Sequence, residues 1–126
     1  MNSVYVFSFD MLTPMLSRRH VPNSFLVNNS MVKVGITSNI DRRIRDYKTT
    51  YICHKCNARH FIVEKTWATN LSIAKLQSLE KKLKSSFEPL AGEYFRSVEK
   101  ERIISWLDNE LRIISWLDNQ PNNFLP

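Results

Sequence analysis

The sequence predicts a small α+β domain, a mostly antiparallel sheet packed with about three helices. Three observations predict it. Runs rich in β-branched and aromatic residues, alternating with a period of two, occur at 3–9, 31–36 and 61–67. Apolar residues recur three and four apart at 40–47 and 73–87, the spacing of one helix face. The resulting order, β-β-α-β-α-β-α, points to helices laid on a sheet.

Ser3-Val4-Tyr5-Val6-Phe7-Ser8-Phe9 alternates polar and apolar side chains and reads as the first strand. Residues 10–30 carry Pro14, Pro22, the basic run Arg18-Arg19-His20 and Asn28-Asn29. They read as a long connection, with a short helical turn expected around Met11 to Ser17. Met31 to Ile36 forms the second strand. Ser38 followed by Asp41 has capping-box spacing, so a helix is expected to start there, with Ile40, Ile44 and Tyr47 on its apolar stripe. Phe61 to Trp67 is the third strand. Asn70 or Ser72 then caps a helix with Ile73, Leu76, Leu79, Leu83 and Phe87 inward, ended by Pro89. Glu93-Tyr94-Phe95 is a short extended piece, and Ser97 is expected to cap a last helix through Trp106.

The segment Arg102 to Asn109, RIISWLDN, recurs as Arg112 to Asn119. A ten-residue shift turns the second copy by roughly 80° around a helix axis, too far for both copies to face one core. The second copy is therefore expected to fold back or to meet a partner, a second copy of the chain or another protein; a chance duplication is the plainer account. The division expected is a domain at 1–109 and a C-terminal extension at 110–126.

The chain has 126 residues, enough for one domain with a hydrophobic core. Its 43% hydrophobic and 24% charged content fits a soluble globular protein, and no apolar run approaches the roughly 20 residues that span a bilayer. The first residues lack the pattern of a signal peptide, so a cytoplasmic protein with no membrane partner is expected. Eighteen Lys and Arg against twelve Asp and Glu leave a charge of +6. That excess suits a polyanion, because neutralising phosphates releases counterions; it also serves plain solubility.

Two side chains stand out by position on their helices. Arg43 lies beside the Ile40/Ile44/Tyr47 stripe, whereas Arg42 and Arg45 point away. An arginine on such an edge buries its stem and presents a fork that matches two oxygens of one phosphate. Glu80 falls roughly 60° off the centre of the Leu76/Leu79/Leu83/Phe87 stripe. A partly shielded carboxylate there can hold a hard divalent cation, with water and phosphate completing the shell. Either residue alone is also what an ordinary helix surface carries.

Their combination with other residues resembles the GIY-YIG endonuclease superfamily, particularly its small branch from phages and mobile elements. Val4-Tyr5-Val6 stands at the first motif triplet, and Lys33-Val34-Gly35-Ile36-Thr37 at the second. Arg43 follows Gly35 at the spacing of the family's arginine, and Tyr47 lies one turn beyond. The stretch from Ala74 to Phe87 resembles the helix bearing the metal-binding glutamate, here Glu80, and Gly92-Glu93-Tyr94-Phe95 resembles the closing strand. The likeness covers residues 3–109. It implies a metal-dependent endonuclease that hydrolyses DNA phosphodiester bonds with one ion, nicking one strand or cutting both, with RNA open as a substrate. Glu80 would hold Mg²⁺ or Mn²⁺, Arg43 would neutralise charge on the phosphoryl oxygens, and Tyr5 would orient or deprotonate the attacking water.

Lys33 departs from the family, occupying the slot of a second tyrosine. Its ammonium would lower the Tyr5 pKa or contact phosphate, or else it points to solvent. Lys84 stands where the branch often has histidine, and the asparagine some members carry after the glutamate has no clear counterpart. Thr37, Tyr47 and Lys48, with Arg18 and Arg19 from the long connection, are the residues expected to bind nucleic acid. The alternative function is a module of the same fold that binds nucleic acid without cutting it.

Cys53 and Cys56, the only cysteines, with His60 following, have half the spacing of a zinc site. Two readings stand: reduced cysteines in a loop, or a structural Zn²⁺ knuckle held by Cys53, Cys56 and His60.

Overall fold

The computed structural model describes residues 1–10, 29–48 and 61–120 in full, and the backbone of 15–16, 26–27, 49–50, 52–53 and 58–59. Strand β1 (Asn2–Phe9) is followed by the short pair β2 (Met15–Leu16) and β3 (Leu26–Val27), then β4 (Met31–Thr37) and helix α1 (Ile40–Thr50). A second short pair, β5 (Ile52–Cys53) and β6 (Ala58–Arg59), precedes β7 (Phe61–Thr69), α2 (Ile73–Ser86) and β8 (Tyr94–Arg96). A 3₁₀ turn (Ser97–Glu99) leads into α3 (Lys100–Asp118). The helical turn expected over 11–17 gives way at Met15–Leu16 to strand pairing with Leu26–Val27.

The main sheet has the order β7-β1-β4-β8, every neighbour antiparallel. Its two faces carry different cores. Val4, Val6, Val32 and Val34 pack with Leu76, Leu79 and Leu83 of α2 and with Ile103, Leu107 and Leu111 of α3. On the opposite face Tyr5, Phe7 and Phe9 meet Tyr47 of α1 and Tyr94 of β8, with Ile40 and Ile44 at the margin. The α+β architecture of a mostly antiparallel sheet and three helices is thus observed. Because helices cover both faces, β1 is buried without a break from Ser3 to Phe7, and its alternation separates two cores rather than core from water.

Helix boundaries follow the capping chemistry. Asn39, not Ser38, caps α1: its Oδ1 accepts from the Arg42 amide at 3.0 Å and its carbonyl from Arg43 at 3.1 Å. Ser38 is displaced because the asparagine carboxamide already satisfies the orphan amide of the first turn. Ser72 caps α2, its Oγ accepting from the Lys75 amide at 3.2 Å. Ser97 instead opens the 3₁₀ turn, and α3 starts three residues later without a side-chain cap.

α3 runs as one helix through both repeat copies, so the second neither folds back nor breaks away. Ile103 and Leu107 of the first copy are fully buried, while their counterparts Ile113 and Leu117 are 43% and 58% exposed. The rotation accumulated over ten residues carries the second stripe off the core.

Candidate active site

Tyr5 sits on the central strand directly opposite Gly35 of β4. Its ring lies across that glycine: a Cβ built on Gly35 would collide with the Tyr5 Oη and Cζ and come within 2.9 Å of Cε2. Only a residue without a side chain admits the phenol there. The ring stacks on Phe7 at 4.3 Å between centroids and meets Tyr47 edge-on at 6.2 Å. These contacts aim the hydroxyl at two partners. Tyr5 Oη lies 3.5 Å from the Tyr47 hydroxyl, and Arg43 Nη1 donates to it at 3.5 Å.

Arg43 is half-buried on the inner edge of α1, while Arg42 and Arg45 are exposed, as helical spacing predicts. Beside it a polar cavity of about 310 Å³ opens between Thr37, Ser38, Asn39, Arg42, Arg43 and Asp46. Burial pushes the Tyr5 hydroxyl up to about 12, against the opposing pull of Tyr47 and Arg43; Glu93 and Glu80 push the same way as burial. A cationic neighbour is thus present, but desolvation of a phenolate outweighs it.

Lys33 is fully buried, which overturns the solvent-facing reading. Its Nζ lies 4.9 Å from the Tyr47 ring centroid and 5.3 Å from that of Tyr94, and 3.5 Å from Glu93 Oε2. Two aromatic faces and a carboxylate compensate a buried ammonium. The strand's face is closed over by Tyr47 of α1 and by the Tyr94 ring of the neighbouring strand β8, which its alternation cannot reveal.

Glu80 reaches this region from α2. Its side chain is 19% exposed, with Lys84 Nζ 3.8 Å from Oε1. Its other oxygen, Oε2, is buried without a hydrogen-bond partner among the described residues. Burial raises its pKa and Glu93 raises it further, while Lys84 and Lys33 restrain the rise. An unsatisfied buried carboxylate oxygen is the donor that a hard divalent cation takes, so this residue fits Mg²⁺ or Mn²⁺. Among the described residues no group of three or more His, Cys, Asp and Glu forms a metal cluster.

Of the four residues, widely separated in the chain, Arg43 reaches the Tyr5 hydroxyl, Glu80 acts on it electrostatically, and Lys33 packs on the ring of Tyr47, the hydroxyl's other neighbour. Tyr47 itself is fully buried, so its expected place on the nucleic-acid surface becomes a place beneath the Tyr5 hydroxyl. Thr37 is also buried, with its hydroxyl committed to the Asn39 backbone at 3.1 and 3.3 Å. Lys48, next to Tyr47, stays partly exposed. Arg18, Arg19, Cys56, His60 and the Cys53 side chain lie outside the described residues. Glu93 was not singled out as a site residue from sequence, yet its charge acts on Tyr5, Arg43 and Glu80 alike. The one available signal was its position after Gly92, whose φ of 52° makes the turn that presents it.

A family model described as the T5orf172 domain matches residues 4–110. The chain belongs to the T5orf172 domain family. This is a phage-associated, nuclease-type domain. The T5orf172 match takes in β1, β4, α1, α2 and β8, and with them every residue of the site just described; it ends inside α3, ahead of Arg112. Neither the curated proteins nor the solved structures compared contain a match to the chain. Among the described residues no helix of this T5orf172 protein is long and apolar enough to cross a membrane.

Proposed function

We propose that the protein is a GIY-YIG-type endonuclease that hydrolyses DNA phosphodiester bonds with the help of one divalent metal ion. The observation that carries this reading is the meeting of Tyr5 and Arg43 at 3.5 Å, with the half-shielded Glu80 carboxylate close enough to act on the same hydroxyl. A phenol, a guanidinium and a carboxylate around one space are the groups needed to orient water, to neutralise a phosphoryl oxygen and to anchor a cation.

Each side chain has a defined task. Glu80 would hold Mg²⁺ or Mn²⁺ through its unsatisfied oxygen, and the ion would supply Lewis acidity for the hydrolysis. Arg43 meets the charge growing on the non-bridging oxygens, its fork already oriented by Tyr5. Tyr5, whose hydroxyl burial pushes up to about 12 in the ion-free protein, orients the attacking water or takes its proton. Thr37, Ser38 and Arg42 line the adjoining polar cavity, where the neighbouring backbone phosphates would run. The net charge of +6 favours that encounter.

The test is supercoiled plasmid incubated with Mg²⁺ or Mn²⁺, with and without EDTA, using the native protein, Arg43→Ala and Glu80→Ala. Cutting is expected from the native protein alone and only with metal. Equal cutting by all three would overturn the site assignment; DNA binding by all three with no cutting by any would leave a binding module in place of the enzyme.

A further inference from the structure

Of the four lysines on α2, Lys81 is exposed, while Lys75 and Lys82 pair across to Asp118 and Glu110 of α3. Lys84 lies on the other flank of the helix, one turn beyond Glu80, with its Nζ 3.8 Å from the Glu80 Oε1. That separation is longer than a hydrogen bond, so the ammonium offsets the carboxylate without locking it. The two oxygens of Glu80 are thus unequal: Oε1 faces Lys84, and Oε2 is buried without a hydrogen-bond partner among the described residues.

Two ammonium groups act on Glu80, Lys84 and Lys33. Lys33 has no room to respond to a further cation. It is fully buried between the Tyr47 and Tyr94 rings and lies 3.5 Å from Glu93. The Lys84 side chain is 35% exposed, and its flexible stem lets the charged end swing into water.

We propose that Lys84 is a positioning residue of the metal site, the resident cation that offsets Glu80 until a divalent ion takes its place. The inference rests on the reading of Glu80 as the ion's ligand. In the ion-free protein a half-shielded carboxylate is costly unless a cation stands beside it, and Lys84 is that cation. Once an ion occupies Oε2, the Lys84 ammonium faces a like charge across one carboxylate and is driven outward. Lys84 therefore competes with the ion and weakens its hold.

The experiment follows Mn²⁺ binding to the ion-free protein by water-proton relaxation, with no DNA present. It compares the native chain, Lys84→Met, Lys84→Arg and Glu80→Gln, with thermal melting in parallel. Lys84→Met keeps the apolar stem without the charge and is expected to bind Mn²⁺ about three- to tenfold more tightly than the native protein. Lys84→Gln repeats the comparison should the methionine variant fold poorly. Lys84→Arg keeps the charge and is expected to bind as the native protein does. A plain surface pair at this helical spacing would shift melting slightly and leave Mn²⁺ affinity where it was. Equal or weaker binding by the uncharged variants, or an arginine variant that behaves like them, overturns the inference and leaves Glu80 as the ligand. No Mn²⁺ binding by the native protein, or equal binding by Glu80→Gln, removes the ion from Glu80 and overturns both.

Discussion

The phenol ring of Tyr5 lies across the Cα of Gly35, its partner on the neighbouring strand, in space that any Cβ would fill. The absence of a side chain on one strand thus sets where a hydroxyl on the next strand sits. Gly35→Ala is expected to cost about 1–3 kcal/mol through overpacking and to abolish cutting by displacing Tyr5. In a Tyr5→Ala background the stability cost should shrink, because nothing is left to collide. Chemical denaturation of the four proteins in the cycle checks this; purely additive losses would show that the two side chains do not interfere.

Arg43→Lys preserves the charge of the site while removing the planar fork that reaches Tyr5 and that, in the proposed reaction, would meet the phosphate. Cutting is expected to fall about 10²- to 10³-fold, the loss of an oriented donor, with DNA affinity nearly unchanged. Steady-state cleavage set beside a binding titration separates the two effects. A lysine variant as fast as the native protein would mean that charge alone suffices.

Glu80 is kept above its ordinary carboxylate range by burial and by Glu93. The metal-free folded state therefore prefers the protonated acid more than the unfolded chain does, and ionising Glu80 weakens the fold. The penalty is absent below about pH 4.5 and grows as pH rises through the elevated folded value. In EDTA, Glu80→Gln should accordingly melt higher than the native protein at neutral pH and together with it in acid. Adding Mn²⁺ should raise the melting temperature of the native protein and leave the glutamine variant where it was. A variant that melts lower at neutral pH would contradict the sign of this shift.

The repeat in α3 supplies an internal control, since identical residues occupy different environments. Ile103→Ala removes a fully buried side chain and is expected to cost about 2–5 kcal/mol. Ile113→Ala, at the matching position of the second copy and 43% exposed, should cost about 1 kcal/mol or less. Urea denaturation of the two single variants decides it. Equal losses would place the second copy against something as apolar as the core.

The sequence by itself determined which residues share a face. Helical periodicity put Arg43 beside the apolar stripe of α1 and Glu80 at the edge of that of α2, and showed that the two RIISWLDN copies cannot face the same way; between Asn70 and Ser72 as the cap of α2 the structure decided for Ser72. Periodicity also read the order of strands and helices in the main sheet. Those properties are local, because φ, ψ and side-chain direction repeat over a few residues. Which faces are covered was decided only by tertiary structure. Lys33 and Tyr47 are buried because α1 returns over one side of the sheet, where the Tyr94 ring of the edge strand β8 joins it, and β1 is closed on both sides because α2 and α3 return over the other. Asn39 displaced Ser38 as a cap, and α3 continued past its first repeat, because neighbouring hydrogen bonds and helix continuity outweighed the local signals. Glu93 became visible only when the turn at Gly92 carried it to Lys33, since a contact between distant segments depends on how the chain closes on itself and leaves no period to read.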